Sequence, residues 1–131
     1  MKLEDIMVKK IEYIEARASL YDAIEKMIDL RLRSLVVKPE DEDDIYGVIT
    51  VRDVVFKAIY QGSDLNKTRV KEVATKPVVC VNKAMDISHA IKLMKNFNIA
   101  RVFVCDNMQI VGIVSLMDVM KAFLITRAKG G

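Results

Sequence analysis

A nine-residue phrase occurs twice in this chain and carries the side chains best suited to chemistry. It reads GVITVRDVV in the first half and GIVSLMDVM in the second, so Thr50 and Asp53 have the same spacing as Ser115 and Asp118. A hydroxyl followed three residues later by an acid is typical of a capping box at a helix start. The same turn suits phosphate, because its unpaired N–H groups and the helix dipole attract anions. The phrase predicts a helix cap, a ligand site or both.

The acids and glycines of the phrase have distinct chemical uses. An ionised carboxylate only accepts hydrogen bonds, so Asp53 or Asp118 would accept from both hydroxyls of a ribose. Gly47 and Gly112 would let the backbone approach a neighbouring segment or a ligand closely. The single histidine and the lack of a Walker-type glycine loop leave no convincing nucleophile–base pair. We therefore predict a binding protein with no catalytic residues.

The phrase belongs to a longer internal repeat. Gly112 follows Gly47 by 65 residues, whereas Ala90 follows Ala23 by 67. The two-residue difference falls in the polar stretch between Val37 and Gly47, and the tip of a hairpin tolerates such a change. The agreement on either side of that stretch indicates a duplication.

Each repeat predicts the element order β-α-β-β-α after a short amphipathic segment, at 3–7 and at 70–74. Ser19 and Asp86 are the predicted caps of the first helix in each repeat, because apolar residues at helical spacing follow both. Two strands then flank the polar turn. The repeated phrase opens the last helix.

The last helices, at 51–61 and 116–126, are apolar around nearly their whole circumference. A helix of this kind must be buried on more than one side. We therefore predict a homodimer formed through these helices. The alternative is that the two helices bury their apolar surfaces against each other within one chain.

Composition excludes several classes of protein. The 131 residues are 52% hydrophobic and 30% charged, which fits one compact domain or two mutually dependent halves. The apolar runs are too short to span a membrane, and the acids near the N-terminus do not fit a signal peptide, so we expect a cytoplasmic protein. A net charge of +3, from 21 basic and 18 acidic residues, argues against a nucleic-acid-binding surface.

The sequence does not predict a metal site. One histidine and no CxxC pair are too few ligands for zinc, and the acidic run at 40–44 is interpreted as a solvated turn. Cys80 and Cys105 lie in apolar, strand-like surroundings. With export not expected, both are predicted to be reduced thiols in the core.

A duplicated β-α-β-β-α unit that ends in Gly-apolar-apolar-Ser/Thr-x-x-Asp resembles a tandem pair of cystathionine β-synthase (CBS) domains, also called a Bateman module. The resemblance covers about residues 3–127, and two copies at the family spacing make it specific. It implies an α/β fold of the α+β-type CBS pair, with two repeats packed in pseudo-two-fold symmetry. The implied domains are 1–62 and 70–127, with a linker at 63–69 and a C-terminal tail at 128–131.

The resemblance also implies a function. Such modules bind adenosine-containing ligands, most often AMP, ADP or ATP and sometimes S-adenosylmethionine, so it implies an energy sensor that needs no cofactor and signals to an unknown partner protein. In the family the motif acid holds the ribose, the hydroxyl lies near the phosphate, and the preceding apolar residue lines the adenine pocket. The first site would contain Val48, Thr50, Asp53, Thr75, Pro77, Ile99, Ala100 and Arg101. The second site would contain Val8, Lys10, Leu32, Arg33, Ser34, Ile113, Ser115 and Asp118.

The two implied sites are unequal. Thr75 offers a hydroxyl to the first site, whereas the equivalent Val8 offers none to the second. Arg101 matches a family position that reaches phosphate, and its counterpart in the first repeat is Ser34. We therefore rank the Asp53 site first. The alternative function is a protein-interaction scaffold or a nucleic-acid-binding module whose repeated turns are only helix caps.

Overall fold

The computed structural model describes residues 1–128, with side chains as far as residue 125. The predicted tail at 128–131 therefore lies outside the described residues beyond its first position, as does the side chain of residue 126 in the predicted interface. The chain divides into two compact units. The continuous unit is Glu12–Val78, and the split unit consists of residues 1–11 together with the chain from Val79 onward. These units differ from the sequence repeats, because the segment before each first strand belongs with the other repeat.

The continuous unit has the predicted order of elements. They are β1 (Tyr13–Ile14), α1 (Leu20–Leu30), β2 (Ser34–Val37), β3 (Gly47–Thr50), α2 (Val51–Asp53) leading into a π-helix (Val54–Ile59), and α3 (Val70–Val73). Strand β2 pairs in parallel with β1 and antiparallel with β3. The predicted cap is confirmed, since Ser19 Oγ accepts a hydrogen bond from the N–H of Asp22 at 3.1 Å. Part of the predicted linker lies against α1, where the N–H of Tyr21 donates to the carbonyl of Leu65 at 3.0 Å.

The split unit repeats this arrangement. After a 3-10 turn (Leu3–Asp5), its elements are β4 (Cys80–Asn82), α4 (Ile87–Phe97), β5 (Arg101–Asp106), β6 (Gln109–Ser115) and α5 (Leu116–Ala128). Strand β5 pairs in parallel with β4 and antiparallel with β6. Asp86 caps α4 by accepting from the N–H of Ser88 at 3.0 Å. Two three-stranded sheets with helices confirm the predicted mixed α+β fold.

Each unit closes its own core with the apolar side of its first helix. In the continuous unit Ala23 and Met27 of α1 pack with Leu35 and Ile49 of the sheet. In the split unit Ala90 and Met94 of α4 pack with strand residues, namely Val102, Val104 and Val114. Burial of a side chain such as Leu35 stabilises the fold by about 1.5–3 kcal/mol. These helices therefore hold the strands that lead into the repeated phrase.

The segment before each first strand completes the core of a unit. Val70 donates its N–H to the carbonyl of Ala18 at 2.8 Å, and Leu3 donates to Met85 at 3.0 Å. The side chains of Leu3 and Val70 are fully buried. One compact unit is thus one repeat plus the leading segment of the other repeat.

The prediction of two reduced core thiols is wrong. Cys80 on β4 and Cys105 on β5 form a disulfide, their Cα atoms are 5.9 Å apart, and Cys80 is exposed. Side chains alternate between the faces of a strand. Because Val81 and Val104 face the core, the neighbouring cysteines point to the opposite face, where their sulfurs meet.

The last helix of the first repeat also differs from the prediction of an ordinary helix. After Asp53 it widens into a π-helix, in which the N–H of Tyr60 donates to the carbonyl of Val55 at 2.8 Å. Its apolar circumference is only partly covered in the single chain, since 55% of Phe56 and 80% of Tyr60 are exposed. Leu124 of α5 is also 68% exposed. Within residues 1–128, no helix combines the length and apolar character needed to cross a bilayer.

Candidate functional site

Both copies of the repeated phrase form a capping box, which confirms that interpretation. Thr50 Oγ1 accepts from the N–H of Asp53 at 3.1 Å, and Asp53 Oδ2 accepts from the N–H of Thr50 at 3.1 Å. Ser115 Oγ accepts from the N–H of Asp118 at 3.2 Å, and Asp118 Oδ2 accepts from the N–H of Ser115 at 2.8 Å. In each box the cap uses Oδ2 of the acid. The two copies differ in the contacts made by the other carboxylate oxygen, Oδ1.

The carboxylate of Asp53 belongs to a polar triangle in the continuous unit. Asp53 is 8% exposed, and its Oδ1 lies 2.9 Å from Lys57 Nζ and 3.4 Å from Thr75 Oγ1. Lys57 Nζ also donates to Thr75 Oγ1 at 3.1 Å. Lys57 is absent from the predicted site. Its position four residues after Asp53 is the sequence signal that would have found it, because such residues face each other on a helix.

The carboxylate of Asp118 has simpler surroundings. In the described part of the chain, all its recorded side-chain hydrogen bonds are with Ser115, including one from Ser115 Oγ to Oδ2 at 2.9 Å. The residue 65 positions after Lys57 is Ala122, which is 7% exposed and carries no charge. Both repeats therefore have the acid and the hydroxyl, but the lysine four residues after the acid is present in the first repeat and replaced by alanine in the second.

The glycine that opens each phrase admits a neighbouring segment of the same unit. A Cβ on Gly47 would lie 3.1 Å from the carbonyl oxygen of Thr75, and one on Gly112 would lie 2.5 Å from Met7 Sδ. Beside these glycines, Val48 exchanges two backbone hydrogen bonds of 2.9 Å with Thr75. The close approach predicted for the glycines is therefore to protein backbone and side chain.

Ion pairs hold the segment that supplies Thr75. Lys76 Nζ lies 2.5 Å from Asp44 Oδ1, and this hydrogen bond is the main cause that lowers the pKa of Asp44 to about 2. Glu40, at the start of the same acidic run, pairs with Arg17 and Lys71 at 3.5 and 3.2 Å. Among residues 1–128, no three or more His, Cys, Asp or Glu side chains are grouped as metal ligands.

The predicted site residues fall into sets within each unit. The continuous unit contains five predicted for the first site, namely Val48, Thr50, Asp53, Thr75 and Pro77. The split unit contains five predicted for the second site, namely Val8, Lys10, Ile113, Ser115 and Asp118. In the first set, hydrogen bonds link Val48, Thr50, Asp53 and Thr75. In the second set, backbone hydrogen bonds of 2.9 and 3.0 Å link Val8 to Ile113.

The other predicted residues belong to the unit that does not contain their acid. For the first site these are Ile99, Ala100 and Arg101, and for the second they are Leu32, Arg33 and Ser34. Within its own unit, Ser34 on β2 is opposite Thr50 on β3. Arg101 on β5 is likewise opposite Ser115 on β6. Their contribution to the site of the other repeat stays a prediction.

Known proteins place this chain in a family. The sequence pattern of the CBS domain matches residues 3–59 and 70–125. An uncharacterized protein of Methanopyrus kandleri is 33% identical over 97 residues, which are 73% of this chain and 49% of that protein. The chain therefore spans about half the length of that relative.

Solved structures agree with the sequence match. A hexameric CBS-CP12 protein from bloom-forming cyanobacteria has a TM-score of 0.86 and 32% identity, over 92% of this chain and 66% of that one. The CBS domain pair of protein MJ0100, in complex with 5′-methylthioadenosine and S-adenosyl-L-methionine, has a TM-score of 0.82 and 26% identity, over 96% and 98% of the two chains. This chain belongs to the CBS domain family, and its two repeats form a tandem CBS pair.

Proposed function

We propose that this chain is a regulatory module that binds an adenine nucleotide and passes its occupancy to a partner protein. The buried carboxylate of Asp53, at a helix start and beside the hydroxyl of Thr75, carries the proposal. Such a carboxylate accepts from both ribose hydroxyls, and the helix start attracts phosphate. The adenosine compounds bound to the similar MJ0100 domain pair support a ligand of this class.

The proposed roles follow the order of the phrase. At the first site Asp53 holds the ribose, Thr50 lies near the phosphate, and Val48 lines the adenine pocket. At the second site Asp118, Ser115 and Ile113 take the corresponding roles. We propose AMP, ADP or ATP as the ligand, with S-adenosylmethionine as the alternative adenosine compound. The proposed location of the protein is the cytoplasm.

The exposed apolar helices support a homodimer. Phe56, Tyr60 and Leu124 leave more than half of their surface exposed in the single chain, and extended apolar surface of this kind favours association. We expect a mass twice that of one chain in light scattering, and a single-chain mass for Leu124→Glu. Signalling additionally requires that the nucleotide bind two arrangements of the module unequally.

Calorimetric titration tests the binding function. AMP, ADP, ATP and S-adenosylmethionine are titrated into the wild type, Asp53→Asn and Asp118→Asn. Asparagine keeps a carbonyl oxygen for the backbone N–H of the cap, so each variant preserves the cap while losing the charged double acceptor. We expect each variant to weaken binding at its own site by about tenfold to a hundredfold, since hydrogen bonds to charged groups contribute that much.

The same titration distinguishes nucleotide binding from the alternative function. If the wild type binds none of these compounds at millimolar concentration, the sensor proposal fails. If both variants bind as the wild type does, the acids serve only the caps. A wild type that binds no nucleotide would favour the alternative of a scaffold or a nucleic-acid-binding module, and a gel shift with mixed nucleic acids at two salt concentrations tests the second of these.

A further inference from the structure

Lys57 occupies the acceptor atom that a ribose would use. Its ammonium group lies 2.9 Å from Asp53 Oδ1 and 3.1 Å from Thr75 Oγ1, and it also reaches the carbonyl of Val73 at 3.4 Å. The other carboxylate oxygen of Asp53 already accepts the N–H of Thr50. A diol that binds this carboxylate must therefore displace or share the contact with Lys57.

The ion pair between Lys57 and Asp53 reaches solvent, so little free energy is needed to break it. The side chain of Lys57 is 51% exposed, whereas that of Asp53 is 11% exposed. An ion pair that reaches solvent is weak, so competition from Lys57 lowers the affinity for a diol by at most about fivefold. The flexible four-carbon stem of lysine lets the ammonium group move while it stays beside the same helix.

We infer that the Asp53 site selects a phosphorylated ligand and that Lys57 is the residue that determines this selection. The ribose hydroxyls take the place of Lys57 on Asp53, and the released ammonium group binds the phosphate of the same ligand. Nucleoside phosphates therefore bind better than neutral adenosine or the sulfonium cation of S-adenosylmethionine. The inference rests on the proposed function and specifies the charge of the ligand.

The second repeat supplies the contrast within the same chain. Ala122 stands where the first repeat has Lys57, and the carboxylate of Asp118 accepts hydrogen bonds from Ser115. The second repeat therefore lacks the ammonium group that Lys57 supplies at this position. We therefore expect the preference that depends on this lysine at the Asp53 site alone, although both sites share the same motif.

Two variants, one that removes the positive charge and one that keeps it, test the role of Lys57. All proteins carry Asp118→Asn, so the calorimetric signal comes from the Asp53 site, and each is titrated with AMP, adenosine and S-adenosylmethionine at low ionic strength. We expect Lys57→Met to weaken AMP about tenfold, through loss of a charge-assisted hydrogen bond. The same variant should strengthen adenosine by up to about fivefold, because the competing ammonium group is gone.

Two further measurements distinguish charge from simple damage to the site. Lys57→Arg keeps the positive charge and should keep the preference for AMP over adenosine. Raising the salt concentration should reduce the ratio of AMP to adenosine affinity in the protein that keeps Lys57, and should leave this ratio unchanged in Lys57→Met. If Lys57→Met changes AMP and adenosine by the same factor, the inference is overturned while the proposed function stands. If neither compound binds the Asp118→Asn protein or the wild type, the proposed function and the inference both fail.

Discussion

Gly112→Ala introduces a methyl group where the side chain of Met7 already lies. A Cβ at this position would sit 2.5 Å from Met7 Sδ, 2.8 Å from Cγ and 3.0 Å from Cβ. Ordinary contacts between such atoms are about 3.5–4.0 Å. The sulfur must therefore move by about 1 Å. A change of side-chain rotamer alone does not relieve the overlap, because rotation about χ1 leaves the Met7 Cβ in place.

The magnitude follows from this contact and its neighbours. Overpacking of a buried site costs about 1–3 kcal/mol. The displaced segment is joined to β6 by hydrogen bonds between Val8 and Ile113, of 2.9 and 3.0 Å, and each contributes about 1 kcal/mol. We expect Gly112→Ala to lower the free energy of unfolding by about 1–3 kcal/mol, toward the upper end if the segment detaches.

A double-mutant cycle in urea provides the assay. Unfolding is followed by circular dichroism for Gly112→Ala, Met7→Ala and the double variant. Since Met7→Ala removes the two atoms nearest the new methyl group, the cycle should show a favourable coupling of about 1 kcal/mol or more. Gly47→Ala is the matched control, because its new Cβ meets Lys76 and Thr75 and Met7→Ala should not relieve it. Additive effects, or no loss of stability in Gly112→Ala, would refute the reasoning.

Three further predictions concern stability. Reduction of the Cys80–Cys105 disulfide should lower the free energy of unfolding by about 3.5 kcal/mol, the loop-closure value for a separation of 25 residues, as measured by urea titration with and without reductant. Met108→Gly should raise the free energy of unfolding by about 0.5–1 kcal/mol in thermal melts, because Met108 has a φ of 66° in the two-residue turn between β5 and β6. Hydrogen bonds from Ser88 lower the pKa of Asp86 from 3.8 to about 2. The charged Asp86 therefore stabilises the fold above about pH 4 and loses this effect as the pH falls toward 2, so Asp86→Asn should flatten that part of the stability profile.

Each of these predictions has a distinct contrary result. Equal stability of the oxidised and reduced proteins would show that the disulfide does not constrain the unfolded chain. A loss of stability in Met108→Gly would mean that this turn does not strain its second residue. An unchanged acid profile in Asp86→Asn would assign the pH dependence to other carboxylates.

Local patterns in the sequence predict most of the fold, since caps and strand alternation act over a few residues. Helices α1 and α4 begin at the residue after Ser19 and Asp86, as the capping signals predict. The repeat offset also locates the hairpin that differs in length. These features need no knowledge of distant contacts.

The remaining features depend on contacts between distant parts of the chain. An amphipathic segment such as 3–7 indicates an apolar face but does not indicate which repeat that face covers. The disulfide depends on which strand faces the two cysteines share. At the site, the caps were predictable for the same local reason, whereas the triangle of Asp53, Lys57 and Thr75 forms only because the chain after α3 returns to β3.

The division into a continuous and a split unit has a consequence for how the protein is made. The recorded core residues of the continuous unit all lie within Glu12–Val78, so this core is able to close during synthesis, once residue 78 has left the ribosome. The split unit must instead bring Leu3 to Met85, which are 82 residues apart (85 − 3). A longer loop adds little free-energy cost but slows folding. Leu3 therefore stays uncovered until Met85 is available, and we expect the two cores to close in the order in which their last residues are synthesised.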